Sequence, residues 1–455
     1  MKHSVFYKWI SKYLVYLLML LVLLQGLKIK KYADGGTIQN DVTQYYAFLP
    51  AAFLYHDLSF QFVDKLPEDF TGTIWTKTSP NGKQTLKMTM GIAFLNLPFF
   101  FLAHGSALIF KFPADGYSVP YHFFILIAAV FYLFLGLIIL RNVLKQFFQE
   151  PVISISLLTI VLGTNLIYYT IAEPGMPHVY NFFLFAGLLS YSLKWYKNPS
   201  WQNSLILGLF AGLIILVRPS NIIVFIIPLS IGQWSSVKKR LRLFWDRRYK
   251  LLIIGIVMLI LFFPQMLYWK FSTGLWIYYT YGSERFFLSH PQIINGLFSY
   301  RKGWLIYTPV MSFAIAGFIF LRKKVPDLFF PVLIYFIINL FVVFSWWCWW
   351  YGGSFGARPL IESYVLLSFP LAAFINQIRK KNYFARYFII FILAGLIYVN
   401  LFQMRQYRIS MIHWDSMSKE LYWKVFLTNK WPDNYDQLLD HPDYDKALKE
   451  GRGNK

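Results

Sequence analysis

The sequence is poor in cysteine, with a single residue of this type, Cys348, among its 455 residues. One thiol cannot form a disulfide within the chain, so folds stapled by disulfides are excluded. Cysteine metal clusters and thiol-pair redox chemistry are excluded for the same reason, because each requires more than one thiol. We therefore interpret Cys348 as a packing residue.

Charged residues are also scarce, at 14% of the chain, and acidic residues are the scarcer kind, with 21 Asp and Glu against 44 Lys and Arg. The resulting net charge of +23 does not indicate nucleic-acid binding, because the basic residues form short clusters between apolar runs instead of one soluble face. The clusters lie at 238–250, 322–324 and 379–386. This distribution is typical of the cytoplasmic loops of a membrane protein, and we expect no nucleic-acid partner.

Apolar residues are abundant: 57% of the chain is hydrophobic, 21% is aromatic, and the mean hydropathy is +0.46. Runs long enough to cross a hydrocarbon core of about 30 Å recur along most of the length. Such runs form helices in lipid, because a helix satisfies its own backbone polar groups. We predict an all-α polytopic membrane protein with about twelve spans, near 10–27, 88–110, 120–141, 151–170, 179–195, 203–217, 220–236, 251–268, 304–321, 328–346, 361–377 and 384–402.

The predicted organisation is one transmembrane domain, 1–402, followed by a short outer-side tail, 403–455. With the N-terminus and the basic clusters in the cytoplasm, the first loop, 29–87, lies on the outer side. The loops 269–303 and 347–360 lie on the same side. The residues of chemical interest are therefore expected on the outer face of the membrane.

The crossings in this scheme do not add up, because one predicted span breaks the alternation between the two sides. Either 88–110, which contains Pro98, turns back without crossing, or 203–236 forms a single bent passage. A helix over 203–236 would be about 51 Å long, more than one bilayer needs. We therefore expect 88–110 to be the segment that turns back.

In the first outer loop, Asp41 precedes an aromatic stretch, in the sequence "NDVTQYYAFLPAAF". The spacing of its large side chains predicts a helix lying along the outer interface, with one apolar face. Asp41 would be the N-cap of this helix, with Gln44 completing a capping box. A carboxylate fixed in this way also suits a general base for a hydroxyl acceptor. The residues that share the face are Tyr45, Phe48, Leu49, Ala52 and Phe53.

Two arginines next to apolar runs are candidate ligands for an anion. Arg218 precedes a proline, and its alternative role is to extend to the lipid interface. Arg358 lies in a glycine-rich loop, where the backbone can approach a ligand closely and a guanidinium suits phosphate oxygens. Its alternative role is a helical i,i+4 pair with Glu362. The tryptophans before this loop are interpreted either as part of the site or as an interfacial belt.

Glu173 and His178 flank a Pro-Gly-Met-Pro turn, which would point both side chains into a cavity or leave them hydrated. These residues supply too few ligands for us to place a metal site. Other stretches expected on the outer side are "YGSERFF" (281–287) and "YRKGW" (300–304). No cofactor is predicted with certainty, and a divalent metal stays an open alternative.

Five stretches, in their order along the chain, resemble the GT-C superfamily of membrane glycosyltransferases. The resemblance is particularly to the protein-mannosyltransferase-like branch, which uses polyprenyl-phosphate sugars, and it extends over roughly residues 5–400. The stretches are "NDVTQYYAFLPAAFLYHDL", "GIAFLNLPFFFLAH", "HVYNFFLFAGLL", "GLFAGLIILVRPSN" and "WWYGGSFGARPLIESYVLLSFPL".

The resemblance implies a GT-C-like bundle of about 11–13 transmembrane helices whose outer first loop holds interfacial helices. It implies transfer of a sugar from a polyprenyl-phosphate donor to a hydroxyl on a protein, lipid or glycan acceptor, with inversion at the anomeric carbon. Asp41 falls on the family's acidic residue and would be the catalytic base. Many relatives have two adjacent acidic residues there, whereas this chain has Asn40 before Asp41, which puts metal dependence in doubt.

The leaving phosphate requires positive charge, because stabilising the developing anion is often the largest catalytic effect. Family position suggests Lys87 as one contact, and chemistry and sidedness suggest Arg218 and Arg358. Arg301 and Lys302 are further candidates. Other residues expected near the cavity are Tyr45, Glu173, His178 and Glu362. The expected location is a bacterial plasma membrane, with the active site on its outer side.

Two alternative functions stay open. A lipid-linked polysaccharide polymerase or ligase would also use lipid phosphates, but would depend mainly on outer-loop arginines. A lipid or sugar transporter would do no covalent chemistry, and such folds often contain paired repeats, of which this sequence shows none.

Overall fold

The computed structural model describes residues 10–66, 74–232 and 236–453, and the described chain is mostly helical. Residues 67–73 of the predicted first loop and 233–235 of the predicted span 220–236 lie outside the described residues. The elements of the first half are α1 Ile10–Ile29, α2 Asp41–Tyr46, α3 Phe48–Phe53, β1 Thr76–Thr78, β2 Gln84–Leu86, α4 Gly91–Ile109, α5 Val119–Leu144, α6 Glu150–Leu162, α7 Leu166–Ile171, α8 Pro177–Lys197, α9 Trp201–Val217 and α10 Ile226–Ser230.

The second half is helical in the same way, and β1 and β2 form a two-stranded antiparallel hairpin in the first half. Its elements are α11 Val237–Asp246, α12 Arg248–Thr273, α13 Ile293–Phe298, α14 Trp304–Tyr307, α15 Met311–Lys324, α16 Pro326–Val343, α17 Tyr364–Ile378, α18 Tyr383–Arg408, α19 Lys419–Val425 and α20 Tyr444–Glu450. Short 3-10 segments lie at Gln61–Lys65, Pro219–Phe225, Arg358–Ser363 and Asp436–Leu438.

Seven helices in the described part of the chain are long and apolar enough to cross a membrane, which makes this an all-α, multi-pass membrane protein. They are α1, α4, α5, α12, α16, the joined segment Arg358–Ile378 and α18. The predicted span 179–195 forms the continuous helix α8, of 21 residues, which is not among these seven. The remaining predicted spans are shorter or interrupted. The span 151–170 breaks between α6 and α7, and the span 304–321 breaks between α14 and α15.

Helix α1 defines the two ends of the bundle. Near its start, Ser11 lies in a buried polar cluster, in which Arg141 Nε donates to Ser11 Oγ at 2.6 Å. Arg141 Nη2 also lies 3.0 Å from Glu150 Oε1. Just beyond the other end of α1, Lys31 lines a cavity with Asp41. Because α1 is about 30 Å long, Ser11 and Asp41 mark opposite ends of the bundle.

The basic clusters lie at the Ser11 end. In the cluster 238–250, the ring of Phe244 is 6.1 Å from that of Trp195, and nearby Lys197 Nζ donates to Gln146 Oε1 at 3.0 Å. Lys324 lies over the ring of Phe148, at 5.9 Å, and Arg379 Nη1 donates to Gln149 Oε1 at 3.1 Å. Both partners lie within two residues of Glu150 in the sequence. The concentration of positive charge at the end opposite the cavity is the asymmetry that the positive-inside rule describes.

Helices α4 and α5 run side by side in opposite directions. Tyr132 Oη donates to Leu95 O at 2.8 Å, and His104 Nδ1 lies 2.7 Å from Tyr121 Oη. Lys87, before α4, lines the cavity with Asp41, whereas α5 ends at the Ser11 end. The two helices together therefore make one net crossing, which is the parity that the charge pattern requires.

The start of α4 packs directly on the end of α9. A Cβ atom added at Gly91 would lie 2.3 Å from the backbone nitrogen of Val217, so only glycine permits this contact. Lys87 lies just before one helix end, and Arg218 just after the other. The close approach therefore fixes two of the predicted cations relative to each other.

Helix α18 continues past residue 402, so the tail emerges from a transmembrane helix without a linker. The tail then packs back on the cavity end of the bundle. Tyr435 Oη donates to Ser410 O at 2.9 Å, and Tyr444 Oη donates to Asp415 Oδ2 at 2.7 Å. The last described residues are therefore held close to the loop that contains Trp350, whose ring centroid is 5.4 Å from that of Tyr444.

Candidate functional site

A cavity of about 250 Å³ lies at the end of the bundle marked by Asp41. Asp41, Lys87, Arg218 and Arg358 all line it, although they come from four separate segments. A second cavity, of about 600 Å³, shares part of this wall. The residues that line both are Asp41, Lys87, Met176, Glu284, Trp346, Tyr351 and Arg358.

Asp41 is the first residue of α2, not its N-cap, which corrects the capping prediction. The cap position belongs to Asn40, whose φ is 53° and whose side chain makes no capping hydrogen bond. Gln44 does not close a capping box either, because its Oε1 accepts a hydrogen bond from Lys87 N at 2.9 Å. Gln44 instead ties the first loop to the segment that presents Lys87.

The prediction of one interfacial amphipathic helix after Asp41 is also wrong. The stretch forms two short helices, α2 and α3, and residues 42–51 are all buried. Tyr46 Oη, for example, donates to Gly116 O at 2.7 Å in the interior. Because the opposite faces pack on protein as well, the aromatic spacing reflects burial between elements instead of a lipid-facing stripe.

Arg358 pairs with Asp41. Arg358 Nη2 lies 3.2 Å from Asp41 Oδ2, and the two side chains are 15% and 33% exposed. The alternative i,i+4 pair with Glu362 does not form, because residues 358–363 adopt a 3-10 helix. With about three residues per turn, that helix turns positions 358 and 362 toward different sides.

Arg218 and His178 converge on Glu362. Arg218 Nη1 lies 3.5 Å and His178 Nδ1 lies 3.2 Å from the same oxygen, Oε1 of Glu362. The Glu362 side chain is 1% exposed, and the guanidinium of Arg218 also lies over the ring of Tyr351, at 5.8 Å. Arg218 therefore points into the protein and does not extend to the lipid interface.

Lys87 pairs with a residue that sequence reasoning did not single out. Lys87 Nζ lies 2.6 Å from Glu284 Oε1, and Trp347 Nε1 donates to Glu284 Oε2 at 3.0 Å. Lys87 Nζ is also 4.8 Å from the ring centroid of Tyr281. The stretch "YGSERFF" signalled an outer loop, but a partner 197 positions away from Lys87 leaves no local pattern.

The other predicted residues divide between the cavities and their surroundings. Tyr45 and His178 line the first cavity, and Glu173 lines the second, where it accepts a hydrogen bond from Tyr168 Oη at 3.0 Å. Arg301 instead holds the tail, with Nη2 at 3.0 Å from Asp440 Oδ2. Lys302 Nζ donates to the carbonyl oxygen of Ser354 and so braces the glycine-rich loop.

The tryptophan cluster belongs to the interior and to the cavity wall, and not to an interfacial belt. Trp349 and Trp350 are each 1% exposed, so they pack in the interior. Trp346 and Trp347 are half-buried and line the second cavity. Cys348, between the two pairs, is buried as the composition suggested, and burial raises the pKa of its thiol to about 12.

Burial also determines the protonation of two groups near the site. It raises the pKa of the Tyr281 phenol from 10.0 to about 12, so this side chain, protonated at neutral pH in either case, also keeps its proton in mildly alkaline solution. It lowers the pKa of Lys302 to about 7, which weakens that lysine as a fixed cation. Lys302 also lines neither cavity, and the lysine and arginine residues that line the first cavity are Lys87, Arg218 and Arg358.

Each lysine and arginine that lines the first cavity is paired with a carboxylate, although Glu362 does not itself line the cavity. Lys87, Arg218 and Arg358 face Glu284, Glu362 and Asp41, one carboxylate for each cation. Among residues 10–66, 74–232 and 236–453, no three His, Cys, Asp or Glu side chains are grouped so as to hold a metal ion. An anion that enters must therefore exchange with a carboxylate.

The chain matches no protein-family model and no curated protein.

Proposed function

We propose that the protein is an integral membrane glycosyltransferase that moves a sugar from a polyprenyl-phosphate donor to a hydroxyl acceptor, with Asp41 as general base. One observation carries the proposal: Asp41 and the cations Lys87, Arg218 and Arg358 line a single cavity. A base and an anion-binding cluster on one cavity are the parts that displacement of a lipid phosphate requires. The resemblance to GT-C enzymes supports the same assignment.

Lys87 and Arg358 bind the donor phosphate. Their carboxylate partners, Glu284 and Asp41, are 17% and 33% exposed, so these ion pairs can open toward the cavity. Arg218 keeps its position instead, because its partner Glu362 is 1% exposed and is also held by His178. A guanidinium offers two donors to phosphate oxygens, and the lysine adds a point charge.

In the transfer step, the acceptor hydroxyl gives its proton to Asp41, and its oxygen attacks the anomeric carbon of the sugar. The bond from that carbon to the phosphate oxygen breaks, and its electron pair leaves with the phosphate. The configuration at the carbon inverts. Lys87 and Arg358 stabilise the charge that develops on the leaving oxygen.

Binding of the donor also frees the base. In the absence of donor, Asp41 Oδ2 lies 3.2 Å from Arg358 Nη2. When the phosphate takes Arg358, Asp41 loses that partner, and its carboxylate can turn toward the acceptor hydroxyl. The base is therefore available when a donor is present to use it.

The membrane orientation follows from the charge asymmetry. The cavity lies at the end opposite the three basic clusters, and we assign those clusters to the cytoplasm. The site then opens at the outer face of the plasma membrane, where a lipid-linked sugar would present its phosphate at the level of the headgroups.

The test is a reconstitution in lipid nanodiscs with a panel of polyprenyl-phosphate hexoses and pentoses and a mixture of glycan and peptide acceptors. We expect release of polyprenyl phosphate from one donor of the panel, dependent on Asp41. A second assay, with the same donors and the protein in sealed vesicles, measures transport of the donor between the two leaflets. Movement of intact donor between leaflets without cleavage would refute the enzyme and favour a transporter.

A second candidate, a lipid-linked polysaccharide polymerase or ligase, is favoured by the two arginines on the cavity. The two functions differ in what they require of Asp41. Transfer that survives Asp41→Asn but is lost with Arg358→Ala would exclude the base and support the ligase.

A further inference from the structure

The second cavity has a different wall from the first. Six aromatic side chains line it, and they come from the tryptophan-rich segment 346–351, the end of α18 and the tail. Polar side chains lie among them, including Gln39, Asn40 and Glu173, together with the cation Lys31. The aromatic residues are Trp346, Trp347, Tyr351, Tyr407, Trp414 and Tyr444.

The tail supplies two of these rings in fixed positions. Trp414 is 52% exposed, and its ring lies against Gly353: a Cβ atom added there would be 3.3 Å from Trp414 Cε3. Tyr444 is held by its hydrogen bond to Asp415, whose backbone oxygen accepts from Arg301 Nη1 at 2.6 Å. The rings are therefore arranged before any ligand binds.

Half-exposed aromatic rings among carboxylate and amide side chains are chemistry suited to a carbohydrate. The C–H faces of a pyranose stack on aromatic rings, and its hydroxyls hydrogen-bond to planar polar groups such as Glu173 and Gln39. A lipid acceptor would require an apolar wall. An extended peptide is commonly bound along a strand edge or in an apolar groove, and neither β1 nor β2 lines this cavity.

Asp41 connects the two compartments, because it lines both. A hydroxyl presented from the second cavity reaches the same carboxylate that faces the donor in the first. On these grounds we infer that the second cavity is the acceptor site and that the acceptor is a glycan. This inference rests on the proposed function and decides among the acceptors that the sequence left open.

The experiment measures glycan binding without donor or turnover, so that failure of the inference and failure of the proposed function are separate results. The full-length protein in nanodiscs is titrated with fluorescent di- to tetrasaccharides and, in parallel, with a serine- and threonine-containing peptide of similar size. We expect saturable binding of at least one oligosaccharide. Trp414→Ala should weaken this binding about tenfold, the usual effect of removing a central tryptophan.

Trp431 provides the matched control, because it is 48% exposed and lies in the same tail but does not line the cavity. Trp431→Ala should leave oligosaccharide binding unchanged, and Trp414→Phe, which keeps a ring, should restore most of it. Binding of the peptide alone, binding of neither probe, or equal affinities for wild type and Trp414→Ala would each overturn the glycan acceptor. If the protein binds a glycan but transfers no sugar in the nanodisc reconstitution, the proposed enzyme is refuted and the carbohydrate site is retained.

Discussion

Arg358 Nη2 and Asp41 Oδ2 lie 3.2 Å apart, although 317 positions separate the two residues in the sequence. The candidate base and a candidate phosphate ligand therefore neutralise each other in the absence of substrate. Removal of either side chain changes the state of the other, so the two substitutions are expected to have different kinetic signatures.

Asp41→Asn should lower kcat by about 10²- to 10⁴-fold, the range associated with loss of a general base. Donor affinity should rise, because Arg358 no longer has a carboxylate partner and is free for phosphate. The measurement is steady-state transfer together with donor binding by fluorescence. Asp34→Asn, an exposed acid of the same loop, is the control, and a full rate in Asp41→Asn would exclude the base.

Arg358→Ala should weaken donor binding and also lower kcat, by about 10²- to 10³-fold, because the developing phosphate charge loses its guanidinium. Arg358→Lys should retain part of the activity, since it restores charge without the two-donor geometry. Arg242, which is 85% exposed in the basic cluster at the other end, provides the control Arg242→Ala. If donor affinity is unchanged in Arg358→Ala, Arg358 is not a ligand of the donor phosphate.

Glu284→Gln should tighten donor binding severalfold at low salt, because Lys87 loses the carboxylate that competes with phosphate. The amide can still accept a hydrogen bond from Trp347, so the loop should stay in place. The effect should shrink as salt screens the charges, which a titration at two ionic strengths would detect. Weaker donor binding would instead indicate that Glu284 orients Lys87 for the phosphate.

The stability of the folded protein should rise with pH between about 7 and 10.5, because of Lys302. Its pKa is lowered by burial from 10.5 to about 7, so the unfolded state binds more protons across this window. The slope from this single group is at most about 1.4 kcal/mol per pH unit. Thermal unfolding should show Tm rising from pH 7 to pH 9, and Lys302→Met should flatten that rise.

Cysteine labelling can test the orientation, because the only native thiol, Cys348, is 5% exposed and unreactive. Ser289→Cys in the loop after α12 should react with an impermeant maleimide added to intact cells. Lys239→Cys in the basic cluster should react only after permeabilisation. The reverse pattern would place the cavity on the cytoplasmic side.

Local sequence chemistry was sufficient to find most of the cavity's ionisable residues, because charges next to apolar runs need a reason to be there. Arg218 followed an apolar helix, and Arg358 followed a glycine loop, so both were visible without a structure. Glu284 was not, since an acid in a polar loop is unremarkable until its partner, Lys87, is known. The pairings themselves are tertiary facts that no spacing rule predicts.

For the fold too, local features were predicted from the sequence and tertiary packing was not. Apolar runs predicted helices, but the burial of α2 on all sides could not be read from a pattern that resembles an amphipathic face. The interruptions between α6 and α7 and between α14 and α15 were missed too. At both places the sequence stays hydrophobic although the helix is interrupted. Hydropathy reports the hydrophobic run and not the break in the helix.

The contact between Gly91 and Val217 fixes the width of the first cavity at one place in its wall. The two backbones meet there without an intervening side chain. The scaffold therefore fixes the distance between the backbone at Lys87, which precedes Gly91, and the backbone at Arg218, which follows Val217. A larger residue at position 91 would push α9 away and widen the gap between Lys87 and Arg218. The width of this part of the first cavity is then set at a glycine that lines neither cavity.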